Sequence, residues 1–239
     1  MSTEPENPAP GTQHRAPSTA LIVFDLDGTL IDSRLDIAES ANEVVESYGG
    51  AALPIDRVST MIGEGAQILV ERALEAGGLD PAEPEALARF KRIYDRRLLL
   101  HTKPYEGIPD ALARLTTRAT LAVLTNKPEA PTYRLLHVFE LDRRFAWVVG
   151  GDGAHPRKPD PAGLRYLIET AGSSAERTLY VGDSMIDVET ARRAGVDLLV
   201  AKYGFGELRG ELQLRADEPT VDDSRMLGEK IEAWLSTRL

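Results

Sequence analysis

The chain has 239 residues, 42% of them hydrophobic, a formal net charge of −10 and no cysteine. That is enough apolar material for one large domain, or for a core with a smaller unit attached. The acidic balance argues against nucleic acid or an anionic membrane as the main partner, and without cysteine there is no disulfide framework and no thiolate nucleophile.

Residues 1–19 carry Pro5, Pro8, Pro10 and Pro17 among polar side chains. Such a segment cannot bury enough apolar surface to order itself, which predicts a disordered tail. It has neither the basic start nor the apolar run of a signal peptide, and no later stretch approaches the ~18 consecutive apolar residues of a membrane span. The expectation is a cytoplasmic protein.

Leu21 to Phe24 read as a buried strand that ends in Asp25-Leu26-Asp27-Gly28-Thr29. Period-two alternation puts Asp25 and Asp27 on one side of the chain. Residues 34–48 place Ile37, Ala41, Val44, Val45 and Tyr48 at helical spacing before Gly49-Gly50. A second helix follows Gly63-Glu64-Gly65, and a third is expected to begin near Asp80-Pro81 and to run through Phe90, Tyr94 and Leu98. Roughly seventy residues without a convincing strand far exceed an ordinary connection of about 2 to 6 residues, so residues 33–103 read as an inserted all-helical unit.

From Pro104 onward, helices alternate with short apolar strands. A helix at 109–116 precedes a strand at 120–124, and Thr125-Asn126-Lys127-Pro128 opens another helix. Strands at 146–149 and 178–181, a helix closing at Gly172, one ending at Gly195 and a last strand at 198–201 complete the pattern. Alternation of this kind specifies an α/β fold, a doubly wound parallel sheet with helices on both faces.

In such a sheet ligands bind at the carboxyl ends of strands near the switch point, so the residues there carry the chemistry. They are Asp25 and Asp27, then Thr125 and Asn126, then Asp183 and Asp187, with Lys158 ahead of a helix. Four carboxylates against one ammonium leave a charge deficit that calls for a cation. Oxygen-only ligands with no His or Cys point to Mg²⁺, which keeps waters for a phosphate-bearing substrate. Thr125 and Asn126 also read as helix caps, and Ser184-Met185-Ile186-Asp187 also reads as a capping box.

With these residues in place the chain resembles the haloacid dehalogenase superfamily, whose four signatures appear in order as Asp25-Leu26-Asp27-Gly28-Thr29, Thr125, Lys158 and Gly182-Asp183-Ser184-Met185-Ile186-Asp187. The resemblance implies a Rossmann-like core, residues 20–32 and 104–239, and a helical cap, residues 33–103. It implies Asp25 as nucleophile forming an aspartyl phosphate, Asp27 as general acid and base, and Thr125 and Lys158, with Asn126, as phosphate-binding residues. It further implies Mg²⁺ held by Asp25, Asp183 and the backbone carbonyl of Asp27, with Asp187 orienting from outside.

Gly63-Glu64-Gly65-Ala66, Val70-Glu71-Arg72 and Tyr203-Gly204-Phe205-Gly206 are similar to bacterial phosphoglycolate phosphatases, which commonly have Asn where Glu64 stands. The resemblance therefore implies a phosphatase for a small phosphorylated metabolite, 2-phosphoglycolate foremost, working as a monomer or homodimer. Gly63, Glu64, Gly65 and Arg72 are the candidate substrate residues of the cap. The alternatives are a sugar phosphomutase of the same superfamily, or a phosphatase for a sugar phosphate or pyrophosphate.

Overall fold

The computed structural model describes residues 20–206, 210 and 212–238, so the tail expected to be disordered lies outside the described residues. Strand β1 (Leu21–Phe24) is buried along its whole length. It pairs in parallel with β4 (Thr120–Leu124) on one side and β6 (Thr178–Gly182) on the other, Phe24 standing opposite both Val123 and Val181. Beyond β4 lies β5 (Trp147–Val149), and beyond β6 lie β7 (Asp197–Ala201) and β8 (Thr220–Val221). The result is a six-stranded sheet, parallel at every pairing, in the order β5-β4-β1-β6-β7-β8. The chain winds one way from β1 and then the other, so the switch point falls at the carboxyl end of β1.

Strand alternation sorts the core into two layers. Leu21 and Val23 share a buried cluster with Leu164 and Leu167 of α7 (Ala162–Thr170) and Val188 of α8 (Met185–Ala194). Ile22 and Phe24 share the other with Leu112 of α5 (Ile108–Leu115), Leu135 of α6 (Glu129–Val138) and Ile231 of α9 (Leu227–Arg238). Helices therefore cover both faces, as the alternation predicts.

Between β2 (Ile31–Asp32) and β3 (Lys103–Pro104), which pair antiparallel, the chain makes four helices. These are α1 (Arg34–Ser47), α2 (Ile55–Ser59), α3 (Ala66–Ala76) and α4 (Ala86–Arg97), and α1 packs against each of the other three. The helix expected from Asp80-Pro81 begins instead at Ala86. Pro84 explains the delay, since as the fourth residue of a helix begun at Pro81 it would lack the N–H that bonds the Asp80 carbonyl and its ring would crowd that carbonyl, and residues 80–85 form turns in which Asp80 Oδ1 accepts from Ala82 N. The β2–β3 ribbon and α2 are not foreseen in the sequence reading, and the strand at 197–201 is not the last, because β8 and α9 follow it.

Candidate active site

Asp25 leaves β1 with its backbone N–H donating to Val181 O (2.8 Å), which fixes the carboxylate at the switch point. Lys158 Nζ lies 2.8 Å from Asp25 Oδ1 and 2.7 Å from Asp187 Oδ1, so one buried ammonium bridges two buried carboxylates. Asp187 is fully enclosed by donors. Tyr180 Oη and Lys158 Nζ donate to Oδ1, and Ser184 donates to Oδ2 through both N–H and Oγ, completing the expected capping box of α8. Burial works against ionisation of Asp187, but Lys158 and the Ser184 donors more than offset it and hold its carboxyl below the usual range.

Asp183 follows β6 and accepts on Oδ2 from the backbone N–H groups of Phe205 (2.7 Å) and Gly206 (3.2 Å), and on Oδ1 from Thr29 Oγ1. The glycines around it are required by space. A Cβ on Gly28 would stand 2.4 Å from Asp183 Oδ2, and one on Gly206 would strike the Asp183 carbonyl. Burial pushes Asp183 up to about 8 and Asp25 to about 6, with neighbouring carboxylates adding to both shifts. Oxygens of Asp25, Asp183 and Asp187 lie within 4.8 Å of one another. Of these three buried carboxylates only Asp25 and Asp187 are bonded to the Lys158 ammonium, and the oxygens of all three are hard donors, so the cluster fits a small divalent cation.

Asp27 is held separately. Lys127 Nζ reaches both of its oxygens at 2.9 Å, and Ser33 Oγ donates to Oδ1. Burial opposes the charge on Lys127, but Asp27 outweighs it and the ammonium titrates above its ordinary range. Tyr94 of α4 stands over it, with Nζ 4.8 Å from the ring centre. Burial raises the Tyr94 phenol to about 12, so it remains a neutral donor.

The β4–α6 loop supplies the next groups. Thr125 is anchored by its N–H on Val149 O, and its Oγ1 accepts from Lys127 N. Asn126 lines the cavity, and both ends of its side-chain amide are engaged by the protein. Its amide donates to Lys158 O and to Gly63 O, and its Oδ1 accepts from Lys158 N, so it braces the lysine segment and ties the helical insert to the sheet.

A cavity of about 420 Å³ opens above these residues, between the sheet ends and the insert. Asp25, Asp27, Thr125 and Lys127 line its floor, and Ile62, Gly63, Gly65, Leu69, Phe90 and Tyr94 line the insert side. Glu64 and Arg72 are not among the lining residues. They pair with each other at 2.6 Å, each about two-fifths exposed.

The structure thus brings together Asp25, Asp27, Thr125, Asn126, Lys158, Asp183 and Asp187. Sequence reasoning passes over Lys127, Tyr94, Ser33 and Tyr180. Lys127 had a signal, since it follows Thr125-Asn126 directly after a strand, where a lysine is either solvated or paired. Tyr94 and Tyr180 had none beyond their places in apolar patterns.

The chain matches the family described as Haloacid dehalogenase-like hydrolase over residues 22–201. It is 38% identical over 227 residues to a phosphoglycolate phosphatase of Pseudomonas putida, an alignment covering 91% of this chain and 80% of that one. It is 41% identical over 192 residues to a phosphoglycolate phosphatase of Rhodospirillum rubrum, covering 77% and 80%. The crystal structure of a predicted phosphoglycolate phosphatase from Haemophilus somnus superposes with a TM-score of 0.79 at 29% identity, covering 90% of this chain and 98% of that one. The sheet order, the carboxylate cluster at its switch point and these matches lead to one conclusion: the chain belongs to the haloacid dehalogenase-like hydrolase family.

Proposed function

We propose that this hydrolase is a Mg²⁺-dependent phosphatase that cleaves a small phosphomonoester, 2-phosphoglycolate foremost, through an aspartyl phosphate on Asp25. The observation that carries the reading is the division of labour between two aspartates two residues apart. Asp25 is paired with Lys158 inside a cluster suited to a cation, whereas Asp27 is clamped by Lys127 outside that cluster. Asp25 attacks phosphorus in line, the Lys158 ammonium offsets the charge of the phosphoryl oxygens, and the Thr125 hydroxyl donates a hydrogen bond to one of them. Asp27 gives a proton to the departing alkoxide and then takes one from the water that hydrolyses the acyl phosphate.

Asp25, Asp183 and the Asp27 carbonyl would hold the Mg²⁺. Bound there, the ion supplies charge neutralisation between nucleophile and phosphoryl group. Asp187, with both oxygens already engaged, orients Lys158 from behind. Asn126 contributes by bracing Lys158.

Residues 20–32 and 104–239 act as the catalytic core in this reading, and residues 33–103 act as a cap that excludes water over the cavity. Among the described residues no helix is long and apolar enough to cross a membrane, which suits an enzyme of the cytoplasm acting on a soluble metabolite. Phosphate release should be screened over 2-phosphoglycolate, sugar phosphates, nucleotides and pyrophosphate, with Mg²⁺ and with chelator. The expected result is Mg²⁺-dependent release with 2-phosphoglycolate preferred. Isomerisation without net release, dependent on a bisphosphate activator, would establish a mutase instead.

A further inference from the structure

Asp27 stands near enough to the Asp25–Asp183–Asp187 cluster for its charge to act on Asp25, yet it supplies no oxygen to that cluster. Three hydrogen bonds keep it apart. Lys127 Nζ reaches Oδ1 and Oδ2 at 2.9 Å each, and Ser33 Oγ reaches Oδ1. Ser33 alone would hold one oxygen and leave the carboxyl group free to turn, whereas an ammonium astride both oxygens fixes its plane. Released from Lys127, this anionic side chain has the Lys158 ammonium as its alternative partner, and a carboxylate drawn there is lost to the leaving oxygen.

Lys127 is itself held along its whole length. Its N–H donates to Thr125 Oγ1 (3.2 Å), its carbonyl accepts from Gly151 N (2.9 Å), and its Nζ packs 4.8 Å from the centre of the Tyr94 ring. The side chain is 5% exposed, and its ion-pair partner is Asp27. A lysine this buried persists only as one half of a pair. Its ammonium is committed, so its effect on the reaction passes through Asp27.

We propose that Lys127 is a positioning residue for the leaving-group step: it holds the Asp27 carboxyl group outside the cluster, at the place of the departing oxygen, without itself meeting the substrate. The inference rests on the phosphatase reading above, in which Asp27 is the acid. In that step the bond from Asp25 to phosphorus forms, the bond from phosphorus to the alkoxide oxygen breaks, and the Asp27 proton goes to the alkoxide. The proton matters in proportion to the basicity of the leaving oxygen, so an alkoxide requires it and the stable p-nitrophenolate anion departs without it.

The test measures kcat/KM with Mg²⁺ for 2-phosphoglycolate and for p-nitrophenyl phosphate in the wild type, Lys127→Met, Asp27→Asn and the double variant. This constant ends at departure of the leaving group, so it reports the acid function and is blind to hydrolysis of the aspartyl phosphate. Lys127→Met should lower the ratio of the alkyl to the aryl ester by about 100-fold, at the lower end of what a positioned acid is worth. Asp27→Asn should lower it at least as far. The double variant should match Asp27→Asn within about 2-fold, because the two residues act as one unit. Misfolded protein scales both esters alike and cancels in the ratio. Where Lys127→Met does not fold, the double variant, which leaves no unpaired charge, is compared with Asp27→Asn alone.

A ratio unmoved in Lys127→Met, with the wild type active on both esters, overturns the positioning role alone. A ratio lower in the double variant than in Asp27→Asn shows that Lys127 meets the substrate itself and also overturns it. A wild type that releases phosphate from neither ester overturns the phosphatase reading, and the role of Lys127 falls with it.

Discussion

Asp25 and Asp27 stand two residues apart and meet different partners. Asp25 shares Lys158 with Asp187 and is raised by burial to about 6, while Asp27 has Lys127 to itself. At neutral pH Asp25 is therefore ionised against a desolvation cost, which is the state a nucleophile requires. Asp25→Asn should lower phosphate release by at least ~10³-fold, because the amide cannot form the covalent intermediate. The same change removes one of several crowded carboxylates, so the melting temperature measured by calorimetry should stay level or rise. Substantial remaining turnover would sink the nucleophile assignment. The aspartates and Lys158 could be read from the sequence because each is fixed by its own strand end or by the segment before a helix. Lys127 and Tyr94 could not be read as a pair, because they meet only when α4 lies over the β4–α6 loop.

The elements joining the insert to the sheet depend on one buried acid. Asp36, in the first turn of α1, accepts from His101 N, Thr102 N and Thr102 Oγ1, and so binds the start of the insert to its end. Asp36→Ala would strand these donors, two of them on a buried residue. The expected cost is about 2–4 kcal/mol, since each buried unsatisfied group loses its desolvation compensation. For a domain of this size that lowers the melting temperature by roughly 5–15 °C, and Asp36→Asn, which keeps an acceptor oxygen, should lose less. A melting temperature unchanged in Asp36→Ala would show that the two ends of the insert are held by the β2–β3 ribbon alone.

Element boundaries were legible where the periodicity ran unbroken, as in α1, β4 and α8. They failed where one residue overrode the pattern, as Pro84 does before α4, or where an element is too short for a period, as with the two residues of β8. Helix α9 carries its own signal in Leu227, Ile231 and Leu235 at i, i+4 and i+8, which the reading that stops at residue 201 leaves unused.

At the scale of the molecule a parallel sheet covered by helices follows from the alternation, because parallel strands need crossover connections, whereas the order β5-β4-β1-β6-β7-β8 is seen only in the structure. The cavity does not follow from the alternation either, since its walls come from several separate segments between Asp25 and Asp152 whose meeting depends on packing. What the assembled molecule adds is a crowd of carboxylates at one point, and this has a consequence for stability. Without a cation, Asp25 at about 6 and Asp183 at about 8 are raised above the unfolded value of 3.8. A carboxyl raised in the folded state stabilises the fold fully below its unfolded pKa and loses that contribution as pH rises through the folded value. The metal-free protein should therefore lose melting temperature between about pH 4 and pH 8, Asp25 acting in the lower part of that window and Asp183 up to its end. Asp187, which is lowered, and Lys158, which is raised, titrate outside the window. Mg²⁺ competes with those protons, so its stabilisation should be small near pH 5 and large near pH 8. At a hundredfold excess over its dissociation constant it contributes about 2.7 kcal/mol, which corresponds to roughly 5–10 °C for a chain of this length. Scanning calorimetry at both pH values, with Mg²⁺ and with chelator, checks the sign and the window together. A Mg²⁺ shift equal at the two pH values would place the ion away from Asp25 and Asp183, and no shift at either would remove the metal site from the assignment.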